Sequence, residues 1–149
     1  MNSLFEKNTY QAMVDRVHQL QPSTASKWGK MNVAQMLTHC ARTYAVPLST
    51  TTMPRLFMGR LIAWLFKPTM YNEKPWKQNL PTSPEFVVKE DKNFDVEKAN
   101  LLDLMQKFYD KGEAGIGDKV HPFFGKFTAS QWGITMYKHL DHHLQQFGV

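Results

Sequence analysis

The sequence predicts an all-α fold, a four-helix bundle in one domain (residues 1–149) with an extra short helix and a long loop between helices 2 and 3. Three observations predict it. Apolar residues recur at helical spacing in separate stretches. Capping residues open several of those stretches, and proline or glycine closes them. The chain has 149 residues, room for one core, and 42% of them are hydrophobic.

The first helix is expected over Leu4 to Leu20, with Tyr10, Met13, Val14 and Val17 on one face and Gln21-Pro22-Ser23 ending it. Asn32 can cap a second from Val33 to about Val46, which Pro47 stops. A third, shorter helix is expected from Pro54 to Phe66, ended by Lys67-Pro68. Thr69 to Asn93 reads as a long loop with three prolines, in which Phe86-Val87-Val88 suits a short strand. Asp95 is expected to cap a helix from Val96 to about Tyr109, with Ala99, Leu102, Met105 and Phe108 inward and Gly112, Gly115 and Gly117 breaking it. Thr128-Ala129-Ser130-Gln131 is a capping box that opens the last helix, which runs to about Phe147 before Gly148.

One cysteine, Cys40, allows no internal disulfide and fits a reducing, cytoplasmic compartment. The N-terminal residues show no signal-peptide pattern, and Leu56 to Phe66 is too short to span a bilayer. No membrane role is expected. The net charge is +5, but the lysines and arginines are scattered, so a solvated basic surface is expected rather than nucleic-acid binding.

Chemistry concentrates in the last helix. At about 100° per residue, His139 and His143 lie within about 40° of each other, at the edge of the apolar face. Trp132, Met136 and Gln146 share their stripe, whereas His142 turns toward Lys138 and Gln145. On the second helix His39 sits at the edge of a face made by Val33, Met36, Leu37, Cys40 and Tyr44. If the two edges meet, three imidazoles converge on one divalent transition metal. Three protein ligands would leave a coordination position for water or substrate. The alternative is ordinary hydrogen-bonded helical histidines. Position 140 is leucine, so the HExxH signature of metalloproteases is absent.

His121-Pro122-Phe123-Phe124-Gly125, Thr128, Trp132 and the run KHLDHHLQQFG resemble the DinB-like (YfiT-like) metalloenzyme superfamily, in a branch of unknown function. Trp28 to Asn32 followed by Met36-Leu37-Thr38-His39 resembles its second-helix segment. The resemblance implies an up-down-down-up bundle, dimeric in many members. It implies nickel, zinc or iron held by His39, His139 and His143, with Gln146 in a supporting place. It also implies S-transferase or isomerase chemistry with a low-molecular-weight thiol cosubstrate.

The expected function is a metal-dependent thiol S-transferase acting on a small electrophilic substrate. A metal-dependent hydrolase and a non-catalytic helical module for sensing or stress response are the alternatives. Arg42 and Lys138 are placed to attract an acidic ligand. His121 either borders the pocket or stabilises its turn, and His142 is expected to be exposed. His18 is expected at the surface and Cys40 as a buried structural thiol.

Overall fold

The computed structural model describes residues 1–49, 57–82 and 84–149. Among these the chain is mostly helical: α1 (Lys7–Gln19), α2 (Val33–Leu48), α3 (Phe57–Tyr71), α4 (Phe94–Ile116) and α5 (Ala129–Gln146). A two-stranded antiparallel hairpin, β1 (Lys119–His121) with β2 (Gly125–Phe127), joins α4 to α5. Helix α2 lies chiefly on α4, α3 on α5, and α1 against both α4 and α5. No helix among the described residues is long and apolar enough to cross a membrane.

Two capping boxes set the start of the helices that carry the histidines. Asn32 Oδ1 accepts from the Gln35 N–H at 2.9 Å, and Gln35 Oε1 accepts from the Asn32 N–H at 3.0 Å. Thr128 and Gln131 repeat the exchange at 3.2 and 3.1 Å. Each such cap contributes about 1 kcal/mol. The apolar faces then lock the rotation of both helices. Met36, Leu37, Cys40 and Tyr44 of α2 are buried together with Leu101, Met105 and Phe108 of α4, and with Trp132, Met136, Leu140 and Leu144 of α5. Burying one large apolar side chain contributes about 1.5–3 kcal/mol.

Several elements differ from expectation. Helix α3 does not end at Lys67-Pro68 but continues to Tyr71, fifteen residues in all; its predicted start at Pro54 lies outside the described residues. Pro68 costs one helical hydrogen bond, but this part of the helix is at the surface, with Trp64, Leu65 and Phe66 exposed, so water can serve the freed carbonyl. Helix α4 is capped by Asn93, which accepts from the Val96 N–H at 3.1 Å; Asp95 falls in the first turn instead. Gly112, at φ 57°, breaks α4 as expected, but a further turn follows to Ile116. Phe86-Val87-Val88 is not a strand: Pro84–Phe86 forms a 3-10 turn. The strands lie instead at residues 119–127, between the glycines that follow Tyr109 and the capping box at Thr128.

Three lysines, Lys98, Lys119 and Lys138, close the ends of helices. Lys98 Nζ donates to the carbonyls of His18 and Leu20 at the end of α1, both at 3.0 Å. Lys119 Nζ reaches the Pro47 and Ser49 carbonyls at the end of α2, at 2.7 and 2.6 Å. Lys138 Nζ donates to the Thr69 and Asn72 carbonyls at 2.7 Å and to Asn72 Oδ1 at 2.9 Å, closing α3. The last carbonyls of a helix lack internal partners and carry partial negative charge, which these ammonium groups satisfy.

The N-terminal segment crosses α5 at a glycine. The Leu4 N–H donates to the Gly133 carbonyl at 3.2 Å, and Phe5 stacks on Phe108 with centroids 4.7 Å apart. A Cβ at position 133 would stand 2.3 Å from Ser3 Oγ and 2.5 Å from the Phe5 ring. Gly133→Ala gains helix propensity of up to about 1 kcal/mol but overpacks this crossing, at about 1–3 kcal/mol. The expected net result is a lower urea midpoint. A midpoint that rises would show that the segment yields freely.

Candidate metal centre

His39 lies in the second turn of α2, and His139 and His143 lie one turn apart on α5. The packing of α2 on α5 brings them together. One ring nitrogen of each lies within 4.8 Å of the other two. The His39 and His143 ring centroids are 4.7 Å apart, those of His139 and His143 4.7 Å, and those of His39 and His139 5.0 Å. His39 and His143 are buried, and His139 is partly exposed.

The partners of the outer nitrogens assign the protons. His39 Nδ1 lies 2.8 Å from the Phe86 carbonyl, which can only accept, so this nitrogen carries the hydrogen and Nε2 keeps its lone pair. His139 Nε2 is 3.0 Å from that lone pair and therefore donates to it. Gln146 Nε2 donates to the Trp28 carbonyl at 2.7 Å, which turns Gln146 Oε1 toward His143. His143 Nδ1 donates to that oxygen at 2.8 Å, leaving its Nε2 bare. An outer N–H held by a carbonyl or amide, with the inner nitrogen free, is how proteins orient histidine toward a metal.

Burial keeps the rings neutral, the form that binds metal. It lowers the pKa of His39, with Arg42 adding and the Phe86 carbonyl opposing. It holds His139 well below the usual range, helped by His143 and His39 nearby. It pushes His143 down to about 3, with His39 adding and the hydrogen bond to Gln146 opposing.

The other sequence-selected residues take different places. His142 is not exposed: it is half-buried, its ring 5.9 Å from Trp28 and 6.0 Å from Trp76 between centroids, because the α1–α2 segment and the loop after α3 close over it. Burial lowers its pKa while Asp141 raises it. His121 is outside the cluster. Its Nδ1 accepts from the Phe123 and Phe124 N–H groups at 3.1 and 3.2 Å, holding the hairpin turn, and its ring stacks on Trp132 at 5.6 Å. Arg42 donates to the Val87 carbonyl at 3.2 Å and faces Glu90 at 3.9 Å, which secures the loop carrying the Phe86 carbonyl. Lys138 is committed to the end of α3 and does not face the cluster as a free cation. Cys40 is fully buried beside Met36, and burial pushes its thiol pKa up, so it is not a nucleophile.

Sequence reasoning missed the Phe86 and Trp28 carbonyls and Trp76, whose ring lies edge-on to His139 at 5.7 Å. Backbone carbonyls leave no mark in a sequence, and Trp76 sits in a loop without periodicity. A cleft of about 30 Å³, room for about one water, lies against Trp76 and His142, flanked by Pro75, Lys138, Asp141 and Gln145. The larger cavity, about 280 Å³ between α1 and α5 near Thr9, Arg16 and Tyr137, touches none of the three histidines.

Compared with known proteins, residues 3–148 match one family model, described as Protein of unknown function (DUF1569). No curated protein and no solved structure matches the chain.

Proposed function

We propose that this chain, which belongs to the DUF1569 family, is a metal-dependent enzyme of the thiol S-transferase kind acting on a small electrophile. The observation that carries the reading is the convergence of His39, His139 and His143, with the outer nitrogens of His39 and His143 held by acceptors. The donor set of three neutral imidazoles suits nickel, zinc or iron. A divalent ion there would lower the pKa of a bound thiol or water.

Thiol is favoured over water by what surrounds the cluster. No carboxylate joins it among the described residues, and the nearby Asp141 is paired with Arg16 at 2.7 Å. A thiol, with an ordinary pKa of about 8.5, needs no strong base. His142 is the observation that favours a second reading, a hydrolase, because its half-buried imidazole next to His143 can take a proton from water. The aromatic walls, Trp28, Trp76 and Phe86, suit a small rather than a polymeric substrate. The same reading takes α1, α2, α4 and α5 as an up-down-down-up bundle, as in the DinB-like superfamily, in a cytoplasmic homodimer.

Purified without a histidine tag, the protein is expected to hold one transition-metal ion per chain by elemental analysis. Nickel uptake is expected to quench tryptophan emission through Trp76. With model electrophiles, turnover is expected only when a low-molecular-weight thiol is supplied. Turnover without thiol would move the reading to hydrolase. Absence of both metal and turnover would leave a non-catalytic helical module.

A further inference from the structure

We infer that Gly29 is a positioning residue of this centre, and that the α1–α2 segment it belongs to sets the protonation pattern of His143. The inference rests on the metal reading for its purpose, but its structural content stands without it.

Two hydrogen bonds tie the segment between α1 and α2 to the end of α5, and both are made by Gln146. The Lys27 N–H donates to the Gln146 carbonyl at 2.7 Å, and the Gln146 side-chain amide donates to the Trp28 carbonyl at 2.7 Å. Gln146 is buried, and its remaining oxygen has one partner in the centre, His143 Nδ1 at 2.8 Å. The amide is thus a fixed link between a loop carbonyl and a candidate ligand. Had it been flipped, its N–H2 would face His143 Nδ1 and would demand the bare nitrogen there. The hydrogen would then move to Nε2, the atom needed for the ion.

What permits the unflipped link is the residue after Trp28. Gly29 has φ +82°, and a Cβ placed on it would lie 2.4 Å from Gln146 Nε2. That contact is with the very atom that donates to Trp28. A side chain at position 29 therefore cannot coexist with the amide in this place, and the hydrogen bond to the Trp28 carbonyl is disturbed whichever of the two shifts. Glycine is required twice, once by the backbone angle and once by the space.

The test separates those two requirements and does not depend on metal. Gly29→Asn carries a Cβ but tolerates positive φ; Gly29→Ala carries both penalties; Gln146→Leu removes the link with little change in size. Each protein, metal-free, is read by nitrogen-15 NMR of its imidazole rings, with His39 as internal reference because its partner is the Phe86 carbonyl. The unaltered chain is expected to show His143 as the Nδ1–H tautomer. In all three variants a substantial fraction is expected to move to Nε2–H, while His39 stays unchanged. Where the unaltered chain takes up Co²⁺, its affinity is expected to fall about tenfold or more in each variant, the usual loss for an outer hydrogen-bond partner. If His143 keeps its tautomer in Gly29→Asn and Gln146→Leu, the inference is overturned. If the unaltered chain takes up no cobalt but the tautomers move, the metal reading fails and the role of Gly29 stands.

Discussion

Replacing His39, His139 or His143 by alanine is expected to abolish the stabilisation that nickel or zinc gives the unaltered chain. Ion at about a hundred times its dissociation constant adds about 2.7 kcal/mol to a fold that alone binds it. For a chain of this size that is a rise of about 5–10 °C in Tm. Each alanine removes one of three nitrogens that lie within 4.8 Å of one another. Loss of an outer hydrogen-bond partner costs about 10–100-fold in affinity, and loss of a ligand costs more. His142→Ala is the matched control: it deletes a half-buried imidazole on the same helix, adjacent to His143 but outside the cluster, and is expected to keep the metal-dependent rise. A His39→Ala protein that still gains the full rise would remove α2 from the centre and with it the three-ligand arrangement.

The second large effect is acid lability of the metal-free protein. Burial pushes His121 down to about 4 and His143 to about 3, whereas histidine in the unfolded chain titrates near 6.5. Below about pH 6.5 the unfolded chain takes up protons that the fold refuses. Stability is therefore full above that pH and falls as pH falls, until it levels off near 4 for His121 and near 3 for His143. Between pH 7 and pH 5 each ring costs about 2 kcal/mol, about 4 kcal/mol for the pair. Domains commonly have about 5–15 kcal/mol in total. Burial shifts His39 and His139 in the same direction. Urea midpoints measured at pH 7 and pH 5 should thus differ strongly. His121→Asn keeps an acceptor for the Phe123 and Phe124 N–H groups without a titrating ring, and should recover about half of the loss assigned to the pair. Equal midpoints at the two pH values would mean that these rings are accessible to protons in the fold.

How much of this was legible depended on how local the signal was. Asn32, Thr128 and Gly148 are boundary signals, and each acts where the sequence places it, because a cap depends on atoms within about four residues. Pro68 misled because a proline's cost depends on what surrounds the carbonyl it strands, here a surface turn. The hairpin at residues 119–127 was missed because three-residue strands carry too little alternation to register. Lys138 shows the same limit. On its own helix it is one more basic residue near the histidines, and only the arrival of α3 reveals three acceptors around its ammonium group.

The order of residues alone determined that His139 and His143 share a helix face, that His39 borders the core side of another helix, and that Gln146 follows one turn on, since helical pitch makes these matters of counting. Only the tertiary structure decided that α2 and α5 lie close enough for the rings to meet. It also decided which nitrogens carry protons, through the carbonyls of Phe86 and Trp28. Those carbonyls belong to segments 47 and 118 residues away along the chain from the groups they meet, and backbone oxygens are the same at every position. Packing chose between them, and no local pattern could.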